Sequence, residues 1–195
     1  MTEIPENLES ERALHLIAKG REVFLKLGYR ATTMRDIAQA AGMSRPAVYL
    51  VFANKDAVFR ASFIRSMRRR LMQLREDIDP AWPLERQLHH ALEIIIAQNY
   101  DKISVNPAAR DVLSYDHELP GVAEAFAEAV EFLAQLIRAP LSSSGLTDDA
   151  SHLARTLLTA VNGFKLACKD GDDLRRLMDS QIRLLVVALD QPLKS

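Results

Sequence analysis

Two helix starts lie only eleven residues apart in TMRDIAQAAGMSRPAVYLVF, residues 33–52. Thr33 and Asp36 have the spacing of an N-cap and the third helical residue, a capping box in which each side chain takes an orphan backbone N–H of the other. Ser44 is a second cap, and Pro46 falls in the first turn behind it, where a missing N–H costs little. Gly42 stands between. The chain is thereby held to two short helices, Met34 to about Ala41 and a second carrying Ala47, Val48 and Tyr49 to about Phe52. Small Ala38 and Ala41 let the two backbones come close. This is the pattern of a helix-turn-helix, whose second helix can enter the major groove of DNA.

The flanks read as helix too, with no sustained alternation of period two, so the fold class is all-α with about nine helices. A first helix spans about Ser10 to Leu27, with Leu16, Gly20, Val23, Phe24 and Leu27 on one face and Gly28 as a left-handed stop. The fourth runs from Lys55, behind the cap Asn54, to about Asp77. Pro80 and Pro83 restart the chain as a fifth, Leu84 to about Tyr100. Asn106 and Pro107 open a short sixth ending near Tyr115, and a seventh spans Pro120 to Ile137. Pro140 and Ser142–Gly145 read as loop. The eighth follows Thr147 to about Lys169, Gly171 ends it, and the ninth runs from Asp173 to Leu189.

Charge divides the chain. The first 75 residues hold 14 basic and 7 acidic side chains, +7, while the whole 195-residue chain carries −1, leaving −8 on the remainder. A basic unit is drawn to a polyanion. On the second short helix, Arg45 carries donors suited to guanine O6 and N7, Pro46 and Ala47 are small enough to touch a thymine methyl, and Tyr49 reaches an edge or a phosphate. Ser44 leads the free N–H groups of that helix toward a phosphate. Thr33 and Lys55 flank the motif and suit phosphate contacts, which set register without reading sequence.

Other chemistries find little footing. The single Cys168 excludes an internal disulfide and a thiolate zinc site. His15, His89, His90, His117 and His152 form no HExxH, and Asp116, His117 and Glu118 read as a polar helix junction. There is no phosphate-binding glycine loop. The chain is therefore expected to be no enzyme and to hold no metal and no cofactor. Its acidic start is no signal peptide and its longest apolar run, Leu184–Leu189, is too short to span a membrane, so a cytoplasmic location is expected.

The stretch from Ala13 to about Ala61, roughly a quarter of the chain, resembles the amino-terminal DNA-binding domain of the TetR family of transcriptional regulators. The resemblance rests on the spaced Phe24, Gly28 and Tyr29, on TTMRDIAQAAGMS from Thr32 to Ser44, and on Ala47 to Asp56. Lys19 and Gly20 stand where the family commonly has alanines, and Pro46 where it often has glycine. The resemblance implies a homodimer, usually a repressor, released from palindromic double-stranded DNA by a small molecule. It places Arg45, Pro46 and Tyr49 on recognition-helix contact positions and Thr33 and Lys55 where phosphate contacts are usual. The expected division is a DNA-binding domain over residues 1–54 and an effector-binding and dimerisation domain over 55–195.

Within that architecture a cavity is expected among the fourth to eighth helices, lined by Met67, Leu71, Trp82, Leu88, Ile95, Tyr100, Leu113, Tyr115, Phe126 and Val130. An apolar or amphipathic effector suits such a lining. Leu184–Leu189 is apolar around its whole circumference and needs burial on more than one side. With Leu153, Leu157, Ala160, Val161 and Phe164 of the preceding helix, Leu184, Leu185 and Ala188 are expected to form an intersubunit four-helix bundle. The competing reading is a helical small-molecule-binding or interaction protein without specific DNA binding.

Overall fold

The computed structural model describes residues 10–115, 122–144 and 149–190, and among them every regular element is helical. The expected helix starts at Pro120 and Thr147 and the Asp116–His117–Glu118 cluster lie outside the described residues, as does the side chain of Tyr115. Two compact units form. One takes the described residues through Ser66 and those of Lys102–Ala123, and the other takes Met67–Asp101 with those from Glu124 onward.

The first unit opens with α1 (Glu11–Leu27), started by Ser10, whose hydroxyl accepts the N–H of Ala13. Its buried face is Ala13, Leu16, Ile17, Gly20, Val23 and Phe24. A Cβ at Gly20 would stand 2.5 Å from Cγ1 of Val58, so this glycine is what lets the fourth helix approach. Gly28 has φ +83° and ψ 165°, which is not the left-handed helical stop expected but the mirror of the extended region, open essentially to glycine alone. The carbonyl of Ala108 occupies the place a Cβ would take, so a side chain is excluded here as well.

Helix α2 (Met34–Ala40) carries the full capping box between Thr33 and Asp36. Gly42, at φ +64°, turns the chain, and the N–H of Met43 returns to the carbonyl of Ala38 at 2.9 Å. Helix α3 (Arg45–Tyr49) is capped by Ser44 and ends three residues sooner than expected, because the N–H of Val51 bonds back to Val48 rather than continuing the α-helical pattern. Helix α4 (Lys55–Asp77) has the expected bounds, with Oδ1 of Asn54 accepting the N–H of Ala57. Phe24, Tyr29 and Phe59 pack with ring centroids 5.0–5.8 Å apart over a core that includes Leu16, Ile37, Val48, Phe52 and Val58. The expected single helix after Asn106 is instead a 3₁₀ turn, Pro107–Ala109, followed by α7 (Val112–Tyr115).

In the second unit the expected helix from Leu84 proves to be three pieces in continuous succession: α5 (Leu84–Leu92), a π-helical stretch Glu93–Ala97, and α6 (Gln98–Ser104), whose last residues belong to the first unit. A π stretch leaves helix carbonyls poorly paired, and here Arg70 donates to the carbonyl of Ile95 at 3.0 Å. Arg175 bridges Glu93 and Asp101 at 2.6 and 2.7 Å, bracing the wide turn from both ends.

Helix α8 (Val122–Ser144) runs straight through Pro140, where a loop was expected. An interior proline costs about 3 kcal/mol, yet Ile137 and Leu141 on either side are buried. The hydroxyls of Ser142, Ser143 and Ser144 bond the carbonyls of Arg138, Ala139 and Leu141, supplying donors to the final turn. Helix α9 (Ala150–Ala167) is capped by Asp149. Helix α10 (Gly171–Asp190) starts at Gly171, which opens it rather than closing α9, because Asp170 accepts the N–H of Asp173 as a cap. Leu157, Leu158 and Val161 of α9 are buried, as are Leu174, Met178 and Ile182 of α10, in the core of this unit.

Candidate nucleic-acid interface

Helix α3 is short, and what holds it is its buried side. Val48 and the following Phe52 are fully buried. At about 100° per residue, Pro46 and the C-cap Leu50 fall about 160° from Val48 and Tyr49 about 100° from it as one stripe, while Arg45 in the first turn lies only about 60° from it, and all four are exposed. Tyr49 is 46% exposed and Leu50 82%. Leu50 directly follows the helix as its C-cap. Ala47 is half-buried at the edge of the stripe. Ser44 is exposed and accepts the N–H of Ala47 at 3.4 Å. Leu50 was missed in the sequence, although its spacing of four from Pro46 was there to be used.

The capping box fixes the approach to this stripe. Oδ2 of Asp36 accepts the N–H of Thr33 at 2.9 Å and its hydroxyl at 2.6 Å. These two bonds, the hydroxyl foremost, hold the Asp36 carboxyl below the usual carboxylate range.

Lys55 departs from its expected phosphate role. Its ammonium has three hydrogens, and the carbonyls of Tyr29, Arg30 and Thr32 take it at 3.0, 3.2 and 3.1 Å. It also lies 4.5 Å from the centre of the Tyr29 ring, while the Tyr29 hydroxyl donates to Asp56. The first two residues of α4 therefore tie down the loop that leads into α2. The other edge of the loop is held by the segment after α6. Asp111 accepts the N–H groups of Tyr29 and Arg30, and the Asn106 amide donates to the carbonyls of Leu25 and Lys26 at 3.0 and 2.9 Å. Asn106 was legible as a cap for Pro107, and its Oδ1 does accept the N–H of Ala108. Its second task, closing α1, was not legible.

In the second unit, the end of α4, the turn after it, the start of α5 and the middle of α8 enclose an open groove of about 500 Å³. Of the ten expected pocket residues, Trp82 lines it. Met67, Leu71, Leu88, Ile95 and Tyr100 are buried and Phe126 and Val130 half-buried in this unit, and Leu113 is buried in the first. Of the expected dimer residues, Leu157 and Val161 are enclosed within their own chain, a correction that follows from the packing of α9 on α10. Leu153, Ala160, Phe164 and Leu185 are half-buried, and Leu184 and Ala188 are exposed. Val187 and Leu166, not expected, are exposed as well. Among the described residues no three of His, Cys, Asp and Glu cluster to hold a metal ion, and no helix is long and apolar enough to cross a membrane.

A capped pair of short helices joined by a tight glycine turn is the build of a helix-turn-helix. Residues 16–62 match the model of the family described as bacterial regulatory proteins, tetR family. A curated relative, the uncharacterized HTH-type transcriptional regulator YhgD of Bacillus subtilis, is 27% identical over 86 residues, 44% of this chain and 45% of the relative. The match thus spans under half of the relative's length. Among solved structures, a transcriptional regulator from Rhodococcus sp. Rha1 is similar with a TM-score of 0.69 at 22% identity, over 91% of this chain and 97% of that one. The regulator FadR of Bacillus subtilis in complex with stearoyl-CoA is similar with a TM-score of 0.67 at 18% identity, over 90% and 98%. At these identities the likeness is one of fold.

Proposed function

We propose that this chain is a cytoplasmic homodimer that binds a palindromic DNA operator sequence-specifically, represses from it, and is released by a small apolar or amphipathic effector. The observation that carries this reading is the exposure of Arg45, Pro46, Tyr49 and Leu50 on and just after a capped helix whose Val48 is buried, with the following Phe52 buried as well. A buried backing fixes the helix, and the stripe offers a guanine-reading fork, a hydroxyl and apolar contacts at once. Ser44 and Thr33, with the N–H groups of the helix starts they cap, hold phosphate. Lys55 serves this interface by positioning the loop before α2.

DNA binding is assigned to residues 1–54 and effector binding with dimerisation to 55–195. Leu184, Ala188, Val187 and Leu166 supply apolar surface that a second copy covers. Two copies set their recognition helices one DNA turn apart, about 34 Å. Helix α4 is unbroken from Lys55 to Asp77, so it reaches from the DNA-binding loop to the groove residues Leu74 and Arg75, and an effector need only prefer the DNA-incompetent state to shift the balance.

The test is selection from a random duplex library with the full chain at physiological salt, joined to sedimentation of the free and DNA-bound protein. A twofold-symmetric motif bound by a dimer is expected. Recovery of no motif, with equal affinity for all duplexes, overturns the reading and leaves a helical small-molecule-binding or interaction protein in its place.

A further inference from the structure

The groove of the second unit combines features that a simple packing defect does not need. Its walls are Leu74, Ile78, Leu84, Phe132 and Leu136, and its lining contains Arg75 but no carboxylate. The Arg75 guanidinium lies 5.9 Å from the centre of the Phe132 ring. A second guanidinium, that of Arg86, is outside the lining itself but lies 3.9 Å from the centre of the Trp82 ring, which is part of it. Neither arginine forms an ion pair among the described residues. The Gln87 amide donates to the carbonyl of Trp82 at 2.7 Å and so fixes the turn that carries this ring.

We propose that this groove binds an anionic amphiphile, with a single alkyl chain against Leu74, Ile78, Phe132 and Leu136 and a carboxylate or phosphate head taken by Arg75 and Arg86. Apolar walls reward an alkyl chain at about 0.8 kcal/mol per buried CH₂. Two guanidinium groups stacked on rings present flat, preorganised forks that match carboxylate or phosphate oxygens. Both guanidinium groups are exposed, so a neutral apolar ligand gains nothing from them, and an anion lacking a chain would leave the walls wet. The proposal deepens the effector half of the reading above and rests on it only for the regulatory meaning of binding.

Trp82 is the single tryptophan of the chain, so its emission reports on this groove. The full chain is titrated, below micelle-forming concentrations, with dodecanoate, dodecyl phosphate, dodecanol, acetate and inorganic phosphate. One of the two long-chain anions is expected to shift the emission at a concentration at least tenfold lower than dodecanol, while acetate and inorganic phosphate leave it unchanged. The tighter of the two anions identifies the head group. Arg75→Gln with Arg86→Gln is expected to bring the anion down to the affinity of dodecanol and leave dodecanol itself unmoved, which also reports that the variant is folded. Ala139→Phe, which fills the groove from α8, is expected to weaken every long-chain probe. The proposal is overturned by dodecanol binding as tightly as the anions, by an anion preference that survives loss of both arginines, or by calorimetric binding without a change in Trp82 emission. None of these outcomes depends on DNA, so failure of the DNA selection and failure here are separate results.

Discussion

The carboxylate of Asp111 accepts the backbone N–H of Arg30 at 2.7 Å, and its other oxygen takes the N–H of Tyr29 at 2.9 Å, bridging positions some eighty residues apart. One ion thus satisfies two adjacent donors of the loop that leads into the recognition unit. Hydrogen bonds to a charged group contribute about 1.5–3 kcal/mol, so Asp111→Ala is expected to lose about that much in urea unfolding. Asp111→Asn, which keeps one acceptor, should lose less. Equal unfolding midpoints for wild type and Asp111→Ala would show that the loop holds itself.

At Gly20 the expectation runs against helix propensity. Alanine is the better helix former by about 1 kcal/mol, but its methyl would meet Cγ1 of Val58. That valine is branched and stiff at χ1, and overpacking costs about 1–3 kcal/mol. Gly20→Ala should therefore lower the thermal midpoint. A rise would show that α4 yields freely.

For Asp36 the sign follows from its partners. Its carboxyl is held low by the hydroxyl and then the N–H of Thr33, so the folded state favours the ionised form. The stability this adds is complete above the ordinary carboxylate range and is lost as pH falls through the lowered value. Wild type is expected to exceed Asp36→Asn in stability near neutral pH, with the gap closing in acid. Thr33→Ala, which removes the cap itself, should cost about 0.5–2 kcal/mol. A pH-independent gap between wild type and Asp36→Asn would remove ionisation from the account.

Lys55→Met keeps the stem and deletes the ammonium. Because that ammonium binds three carbonyls of its own chain, the loss is expected in stability, about 1.5–3 kcal/mol by the same measure. The slope of log affinity against log salt should change by less than the roughly one unit that a lost phosphate contact brings. A full unit per subunit with unchanged stability would return Lys55 to the phosphate.

On the operator recovered by selection, Arg45→Ala should cost about 1–3 kcal/mol at one base pair and little on random duplex. Leu50→Ala should matter only where a thymine methyl faces it, and replacing that thymine by deoxyuracil should then cost the variant nothing further. Uniform losses on all duplexes would assign both side chains to the backbone.

Local signals carried the reading of the sequence a long way. Thr33 with Asp36, Ser44 with Pro46, and Asn54 each mark a helix start through atoms within three residues, and each start lies where expected. What stayed hidden depends on partners far along the chain. The glycine at 28 could be read as a stop, but the carbonyl of Ala108 that fills the place of a Cβ there could not. Pro140 carries a strong local signal to break, and burial of Ile137 and Leu141 overrules it. The π stretch at Glu93–Ala97 has no local mark, and the bonds from Arg70 and Arg175 that brace it lie at remote positions. Of the site, Arg45, Pro46 and Tyr49 were legible from their place behind the cap Ser44, whereas the bonds of Lys55 to its own chain were not, because a lysine beside a helix-turn-helix looks the same whether its ammonium points outward or back into the chain.

The grip of Asn106 and Asp111 on the loop after α1 also sets an order of events during synthesis. Asn106 leaves the ribosome about forty residues after Ser66, a delay of about 2–8 s at about 5–20 residues per second. Through that interval the last carbonyls of α1 and the N–H groups of Tyr29 and Arg30 wait for partners not yet made. The nascent helix-turn-helix is therefore completed only after the chain has begun its second unit, and a ribosome stalled before Asn106 carries a first unit whose loop is pinned on the Lys55 side alone.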